Sequence, residues 1–324
     1  MKAKRAYLVK ERTFEIRVDD ICPDDNQILV RVKLCGLCNW ELHFYKGIGG
    51  DFYTNYPKVV GHEWAGVVVK KGKNVENFEI GDKVTFLPGN FQGFAEYTTV
   101  DAADCYKLNP DVDLDNAMGE PLKCILTVLS NAQPQAGDFG LILGCGPMGL
   151  WCTQALKGNF LRSLIAVDID DKKLELAKKF GATHTINSSK EDVVEKIREI
   201  TGGDMCDFVI EGTGIPKLME SALYYLKNAG RLVIMSSHEK PCDSFDFRPA
   251  IERSLRILVA HPSSTQVPEE DMKRAVALIN NGTFNNKEII THRFKLEEIN
   301  KAFETLENKP KDYIKGVIEF DWED

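Results

Sequence analysis

The stretch Gly144-Cys145-Gly146-Pro147-Met148-Gly149 follows the apolar run Phe139 to Leu143 directly and opens a helical pattern directly. Three glycines at that spacing, between a strand and a helix, require a tight turn whose backbone can approach a ligand closely. The helix N-terminus adds free amides and a favourable dipole for an anion such as a pyrophosphate. Asp168 stands 22 residues after Gly146, at the end of the next apolar run, Leu164-Ile165-Ala166-Val167. A carboxylate there can bind both hydroxyls of an adenosine ribose. The residues that follow are Ile169, Asp170 and Asp171, so a 2′-phosphate would meet negative charge and no arginine. NAD is therefore favoured over NADP. Strand and helix patterns then alternate through Lys172 to Phe180, Asp207 to Ile210, Lys217 to Leu226 and Arg231 to Met235. This order predicts an α/β fold with a doubly wound parallel sheet and crossover helices on both faces.

The first third of the chain has another character. Gln27 to Leu34 alternates, Trp64 to Lys70 is rich in valine, and Asp82 to Leu87 follows a Gly81-Asp82 turn. Short strands of this kind predict a β-rich, barrel-like unit. The change comes around Pro134 to Asp138. Beyond a helix over Asp271 to Asn281, the earlier style returns in Ile289 to Phe294, the helical Leu296 to Leu306 and Gly316 to Phe320. With 324 residues and 43% hydrophobic content, two cores are expected. Residues 1–122 and 267–324 should form the β-rich domain, and residues 123–266 the dinucleotide domain, the two packed around a shared cleft.

Gly61-His62-Glu63 lies in the β-rich part, with His62 24 residues after Cys38. A thiolate, an imidazole and a carboxylate brought to one point can hold zinc and leave a position open for a substrate. Cys35-Gly36-Leu37-Cys38 would suit a zinc ribbon only with a second CxxC, and a redox pair only ahead of a thioredoxin-like helix; the sequence provides neither. The set that remains is Cys38, His62 and a carboxylate from Glu63 or from Glu120 in Gly119-Glu120-Pro121-Leu122. Zinc so held can polarise a hydroxyl strongly enough to bring its pKa toward neutrality.

Taken in order, Cys38 and His43, Gly61-His62-Glu63, Glu120-Pro121 and the glycine fingerprint resemble the zinc-dependent medium-chain alcohol dehydrogenases. Within them the chain is most similar to the sorbitol, polyol and threonine dehydrogenase group. The similarity runs nearly the full length, through Ile290-Thr291-His292-Arg293-Phe294 and Leu296 to Phe303. It implies a GroES-like catalytic domain interrupted by a Rossmann domain, with zinc and nicotinamide meeting in the cleft. Hydride would pass between NAD(H) and a secondary alcohol or ketone on a polyol, cyclitol, sugar acid or amino alcohol. The cofactor contacts it implies are Gly144, Gly146, Pro147, Met148, Gly149, Asp168, Lys173 and Gly212. It also implies a homodimer or homotetramer, paired through the sheet edge near Arg256 to Ala260.

Two departures from the family pattern matter. No cysteine lies between Cys38 and Cys105, so the lobe that carries a second, structural zinc should be missing. Trp40 stands two residues after the ligand cysteine, where the family usually places the Ser or Thr that starts the proton relay. An indole donates a hydrogen bond but cannot shuttle this proton. The catalytic candidates are then His43 at the relay-histidine position, Glu63, and Trp40 as a pocket wall, with Glu120 and Glu41 as further proton acceptors. His238 and His261 follow strands of the dinucleotide domain and are candidates for lining its nicotinamide end, whereas His184 reads as structural. Two rival readings are a zinc-free quinone or enoyl reductase of the same superfamily and an NAD-binding protein without turnover. The first lacks the Cys and His-Glu ligands found here, and the second has no need to keep Cys38, His62 and Glu120 together.

Charge and composition narrow the partners. The formal net charge is −8, and no block of Lys and Arg could track a phosphate backbone, so nucleic acid is not an expected partner. No segment approaches a membrane span, and the basic N-terminus returns to charge before any signal-like apolar core develops. Nine cysteines, scattered and odd in number, do not suggest a disulfide framework; reduced cytoplasm is the expected compartment.

Overall fold

A computed structural model describes all residues except 88–90, 159–160, 239–240, 242–243, 262–266 and 323–324. The chain divides into two compact units, Met1–Leu122 with Met272–Asp324, and Lys123–Asp271.

Unit 1 begins with a hairpin of β1 (Lys2–Lys10) and β2 (Thr13–Asp20), neither of which the sequence reading marked. β3 (Gln27–Gly36) is the spine of the unit. Its alternating half buries Ile28, Val30 and Val32, and its last three residues are all buried. Two short helices follow, α1 (Glu41–Lys46) and α2 (Asp51–Thr54), then β4 (Lys58–Val59) and β5 (Trp64–Lys71). After β6 (Lys83–Phe86), β7 (Tyr97–Asp101) and β8 (Cys105–Lys107), the helix α3 (Gly119–Ala132) starts in unit 1 and continues into unit 2.

Unit 2 opens with β9 (Phe139–Leu143) and α4 (Pro147–Ala155). β10 (Ser163–Asp168), α5 (Asp171–Phe180), β11 (His184–Asn187) and α6 (Val193–Thr201) follow. Next come β12 (Cys206–Glu211), α7 (Pro216–Ala222), β13 (Leu226–Ile234), α8 (Arg248–Glu252) and β14 (Arg256–Val259). All six strands run parallel in the order β11-β10-β9-β12-β13-β14. β9 and β12 are buried throughout, which is why they read as unbroken apolar runs: crossover helices leave neither face of a parallel sheet to water. The strand order reverses between β9 and β12, and open sheets of this kind bind ligands at that switch point, beyond the carboxyl ends of the strands.

The chain returns to unit 1 within α9 (Pro268–Asn280) and adds β15 (Ile290–Phe294), α10 (Ile299–Asn308) and β16 (Lys315–Glu319). Its main sheet has the order β15-β16-β3-β5-β6-β8, with β7 also paired to β3. One core links β1, β3, β5 and β6 with α10, with Phe14, Phe94 and Phe303 at its centre. Where the sequence places the return to the β-rich part at residue 267, the compact unit resumes at Met272. The helix expected over Lys217 to Leu226 ends at Ala222, and a single 3₁₀ turn leads into β13 at Leu226. Among the described residues, no helix is long and apolar enough to cross a membrane.

Candidate metal and dinucleotide sites

Strand register assembles the first site. β3 and β5 pair antiparallel with Cys35 opposite Trp64. Cys38, just past the end of β3, and His62 and Glu63, just ahead of β5, therefore emerge at the same edge. Gly36 N donates to Glu63 O at 2.8 Å, tying the two segments together there. Gly61 makes the turn with φ of 112°, in the left-handed region. A Cβ on it would come within 2.7 Å of Phe94 N, so only glycine brings His62 this close to the strand.

Ligand atoms of Cys38, His62 and Glu63 lie within 4.8 Å of one another. Glu120, in the first turn of α3, places Oε2 3.8 Å from His62 Nε2. Gly119 N donates to Thr85 Oγ1 at 2.9 Å, which anchors that turn to β6. Three of the four expected ligand residues thus form one cluster, and Glu120 stands beside it at His62.

Two further charged residues complete the site, and sequence reasoning did not give them these places. Glu41, wholly buried, holds Oε1 3.1 Å from His62 Nδ1 and accepts from Cys38 N at 3.3 Å through Oε2. A carboxylate on Nδ1 fixes the ring so that Nε2 faces the cluster, an arrangement found behind metal-bound histidines. The usable signal was Glu41's place three residues after Cys38 on a short helix. Lys315, also buried, forms an ion pair with Glu63 Oε2 and donates to Leu37 O at 3.0 Å. It arrives because β16 pairs with β3, Val317 opposite Gly36. A lysine opening the apolar run Gly316 to Ile318 was the only hint.

The charges here act on one another. Burial pushes the Cys38 thiol up, and Glu63 adds to the effect, so the thiolate form calls for a cation in the cluster. Burial alone would lower the His62 imidazole, but Glu41 and the Cys38 sulfur hold it well above its ordinary value. Burial would likewise raise Glu63, yet Lys315 holds its carboxyl below the usual range. Against the effect of burial, Glu63 and Cys38 keep the Lys315 ammonium above its ordinary value. A thiol, an imidazole and two carboxylates, with one carboxylate steadied by a lysine, are a fit donor set for zinc.

Trp40 forms the wall. Its ring meets His62 edge-on at 5.2 Å between centroids, and packs on Phe44 at 4.8 Å and Phe91 at 5.3 Å. Phe44, Phe52 and Phe91 also line a cavity of about 750 Å³ with Lys58, Val59 and Val60. His43 lies beneath, its Nδ1 3.1 Å from Trp40 O and its ring 5.5 Å from Tyr53. It does not enter the ligand cluster.

The second site lies in unit 2. Gly144 turns with φ of 97°, and Gly149 packs so tightly that a Cβ would sit 2.0 Å from Gly144 O. A Cβ on Gly146 would meet nothing within 4 Å. α4 begins with Pro147 and has no side-chain cap, whereas Asp170 and Asp192 cap α5 and α6. An uncapped N-terminus beside open space suits an anion. Asp168, at the end of β10, accepts from Cys145 N at 2.7 Å and from Ile169 N and Asp170 N at 2.8 and 3.0 Å. Its carboxylate is thereby fixed against the glycine turn. Met148 lies in the first turn of α4, and half-buried Lys173 in the first turn of α5. Gly212 adjoins the turn, 3.3 Å from a Cβ placed on Gly144. His261 is exposed after β14, and His184 is the first residue of β11, its Nδ1 2.8 Å from Ser163 Oγ.

Comparison with known proteins agrees with this geometry. Residues 24–110 match the alcohol dehydrogenase GroES-like domain, and residues 147–281 the zinc-binding dehydrogenase domain. An L-threonine 3-dehydrogenase of Bacillus velezensis is 30% identical, with 87% of this chain and 89% of that protein covered. The (R,R)-butanediol dehydrogenase of Bacillus subtilis is 28% identical over 98% of this chain and 99% of its own. An oxidoreductase of unknown specificity from Escherichia coli superposes with a TM-score of 0.89 at 26% identity, over 99% of this chain and all of that one. Such a likeness over nearly the whole length reaches both sites at once, and the chain belongs to the zinc-dependent medium-chain alcohol dehydrogenases, in the group of the polyol and threonine dehydrogenases.

Proposed function

We propose that this enzyme oxidises a secondary hydroxyl of a polyol, cyclitol, sugar acid or amino alcohol with NAD, using a single zinc ion held by Cys38, His62 and Glu63. The observation that carries the proposal is the close approach of those three ligand atoms, within 4.8 Å. Relatives named for threonine and butanediol support the substrate class. Asp168 followed by Ile169-Asp170-Asp171 supports NAD over NADP. The short path from Leu87 to Glu96, without a cysteine, supports one zinc and not two.

When bound, zinc supplies Lewis acidity toward the hydroxyl oxygen, and the dinucleotide supplies the hydride acceptor. The residues of this chain prepare that chemistry. Glu41 holds His62 by Nδ1 and presents Nε2 as the ligand atom. Lys315 takes one oxygen of Glu63 and leaves the other for the ion. Glu120, on the Nε2 side of His62, accepts the hydroxyl proton at its carboxylate. His43, with Nδ1 toward Trp40 O, presents Nε2 as a second acceptor on the path to solvent. Trp40 and Phe91 form an apolar wall that keeps water from the reacting carbon and selects substrate by shape. Unit 2 binds the diphosphate at Gly144, Gly146, Pro147, Met148 and Gly149, and the adenosine ribose at Asp168 with Lys173; Gly212 gives the cofactor close backbone approach. The enzyme assembles as a homodimer or homotetramer that pairs through β14, the last strand of its sheet, where Ile257 and Val259 are exposed.

Metal analysis of purified protein tests the core of this reading. Wild type should carry about one zinc per chain and Cys38→Ser almost none, because a thiolate supplies much of the affinity of such sites. Equal zinc in the two proteins, or none in wild type, would remove the basis of the proposal.

A further inference from the structure

Glu211, the last residue of β12, is wholly buried at the switch point of the sheet. A carboxylate removed from water is costly unless its lone pairs are used. Here they are. Oε1 accepts from Thr213 N at 2.6 Å and Gly214 N at 3.2 Å, and from the Thr213 hydroxyl. Oε2 accepts from the Ser236 hydroxyl and faces His238 Nε2 at 3.1 Å. Ser236 Oγ is also 3.1 Å from His238 Nε2. One buried carboxylate thus ties together the turns that follow β12 and β13.

The pairing sets the imidazole. With Nε2–H donated to the carboxylate, Nδ1 carries a lone pair. That Nδ1 is shielded from solvent and has no hydrogen-bond partner among the described residues. A polar atom left so calls for an explanation, and an unfilled ligand contact is one. Its location supplies the rest. β10, with Asp168, flanks β9 on one side, and β12 and β13 lie on the other. A dinucleotide laid across the switch point puts its two halves on opposite sides of β9. The turn after β12 adjoins the glycine turn, since a Cβ on Gly144 would be 3.3 Å from Gly212 C. A dinucleotide so laid would bring the half opposite Asp168 to the side of the Glu211, Ser236 and His238 cluster.

We propose that His238, oriented by Glu211 and Ser236, positions the nicotinamide riboside half of the cofactor, its Nδ1 accepting a hydrogen bond from the carboxamide amino group or a ribose hydroxyl. The assignment rests on the reading of NAD as cofactor, and ADP-ribose, which keeps the adenosine and diphosphate but lacks nicotinamide, separates the two claims. Binding of NADH and of ADP-ribose is measured by calorimetry for wild type, His238→Phe and His238→Asn. In His238→Phe the Kd for NADH should rise about tenfold, the worth of one hydrogen bond, while that for ADP-ribose stays within about twofold. His238→Asn, whose amide oxygen can accept the same bond, should recover most of the loss. A 3-acetylpyridine analogue of NAD, which has no amide donor, locates the contact: the tenfold effect vanishes if the carboxamide donates and persists if the ribose does. Equal weakening of NADH and ADP-ribose would show only a structural role and overturn the proposal, as would no weakening of either. Wild type that binds neither ligand would overturn the NAD reading and this assignment with it.

Discussion

Lys315 and Glu63 form a buried ion pair at the Cys38, His62 and Glu63 cluster, so deleting either member leaves a bare charge out of water. Breaking such a pair costs about 3–5 kcal/mol, whereas a change that keeps the positive charge does not. Urea unfolding of the metal-free protein should therefore show Lys315→Met destabilised by that amount and Lys315→Arg much less. The pair also has a pH signature. Because Glu63 is held below its ordinary value, the unfolded chain binds the extra proton first as pH falls. The stability it contributes is complete above the usual carboxylate range and is lost as pH drops through the lowered folded value. In Lys315→Met, with burial left to push the Glu63 carboxyl up, that acid loss should shrink or reverse; an unchanged acid profile would contradict the ion-pair account. The clustering of Cys38, His62 and Glu63 was legible because their chemistry is written in residue type and spacing. Lys315 was not, because only the pairing of β16 with β3 carries it to Glu63, and no local pattern records which strands pair. Glu41 was legible as a carboxylate near the site, yet its grip on His62 Nδ1 depends on how α1 leaves β3.

The glycine turn and α4 act as one element with two separable demands. Gly149 serves the fold, since any Cβ there would meet Gly144 O at 2.0 Å. Gly146 meets no such demand from the fold, because a Cβ there meets no protein atom within 4 Å, and its role is the one proposed toward the dinucleotide. Gly149→Ala should lower the melting temperature clearly. Gly146→Ala should leave it unchanged and weaken NADH binding about tenfold or more, near 1.4 kcal/mol or above. Equal melting losses in both variants would contradict the division. These elements were readable because β9, β10 and β12 are buried on both faces and carry continuous apolar runs. α3 and α6 were missed. α6 has three buried residues among nine, a mark easily lost among its charges, and α3 begins with the glycine and proline of Gly119-Glu120-Pro121. β13 was cut short because its first half, Lys227 to Ala229, is exposed and polar, so only Arg231 onward looked like a strand.

At the scale of the molecule, the interrupted order of the chain was legible from the switch of hydrophobic period near residue 134 and its return near the C-terminus. The return point was set five residues early, since α9 crosses the boundary and helical periodicity does not mark where one core ends. The edge strand β14 bears on assembly: among the described residues it pairs with β13 alone, and Val259 on it is exposed, so this edge is where a second copy of the sheet would add. If the proposed pairing through this edge holds, Val259→Lys should shift sedimentation toward a smaller species at micromolar concentration, and an unchanged profile would exclude this edge. The central claim, that Cys38, His62 and Glu63 hold the zinc on which a secondary hydroxyl is oxidised by NAD, is tested most directly by NADH formation across a panel of polyols and amino alcohols. The zinc-loaded enzyme should produce NADH with at least one of them, lose that activity on chelation and regain it when zinc is restored. No NADH from any member, or a rate indifferent to chelation, would contradict the account.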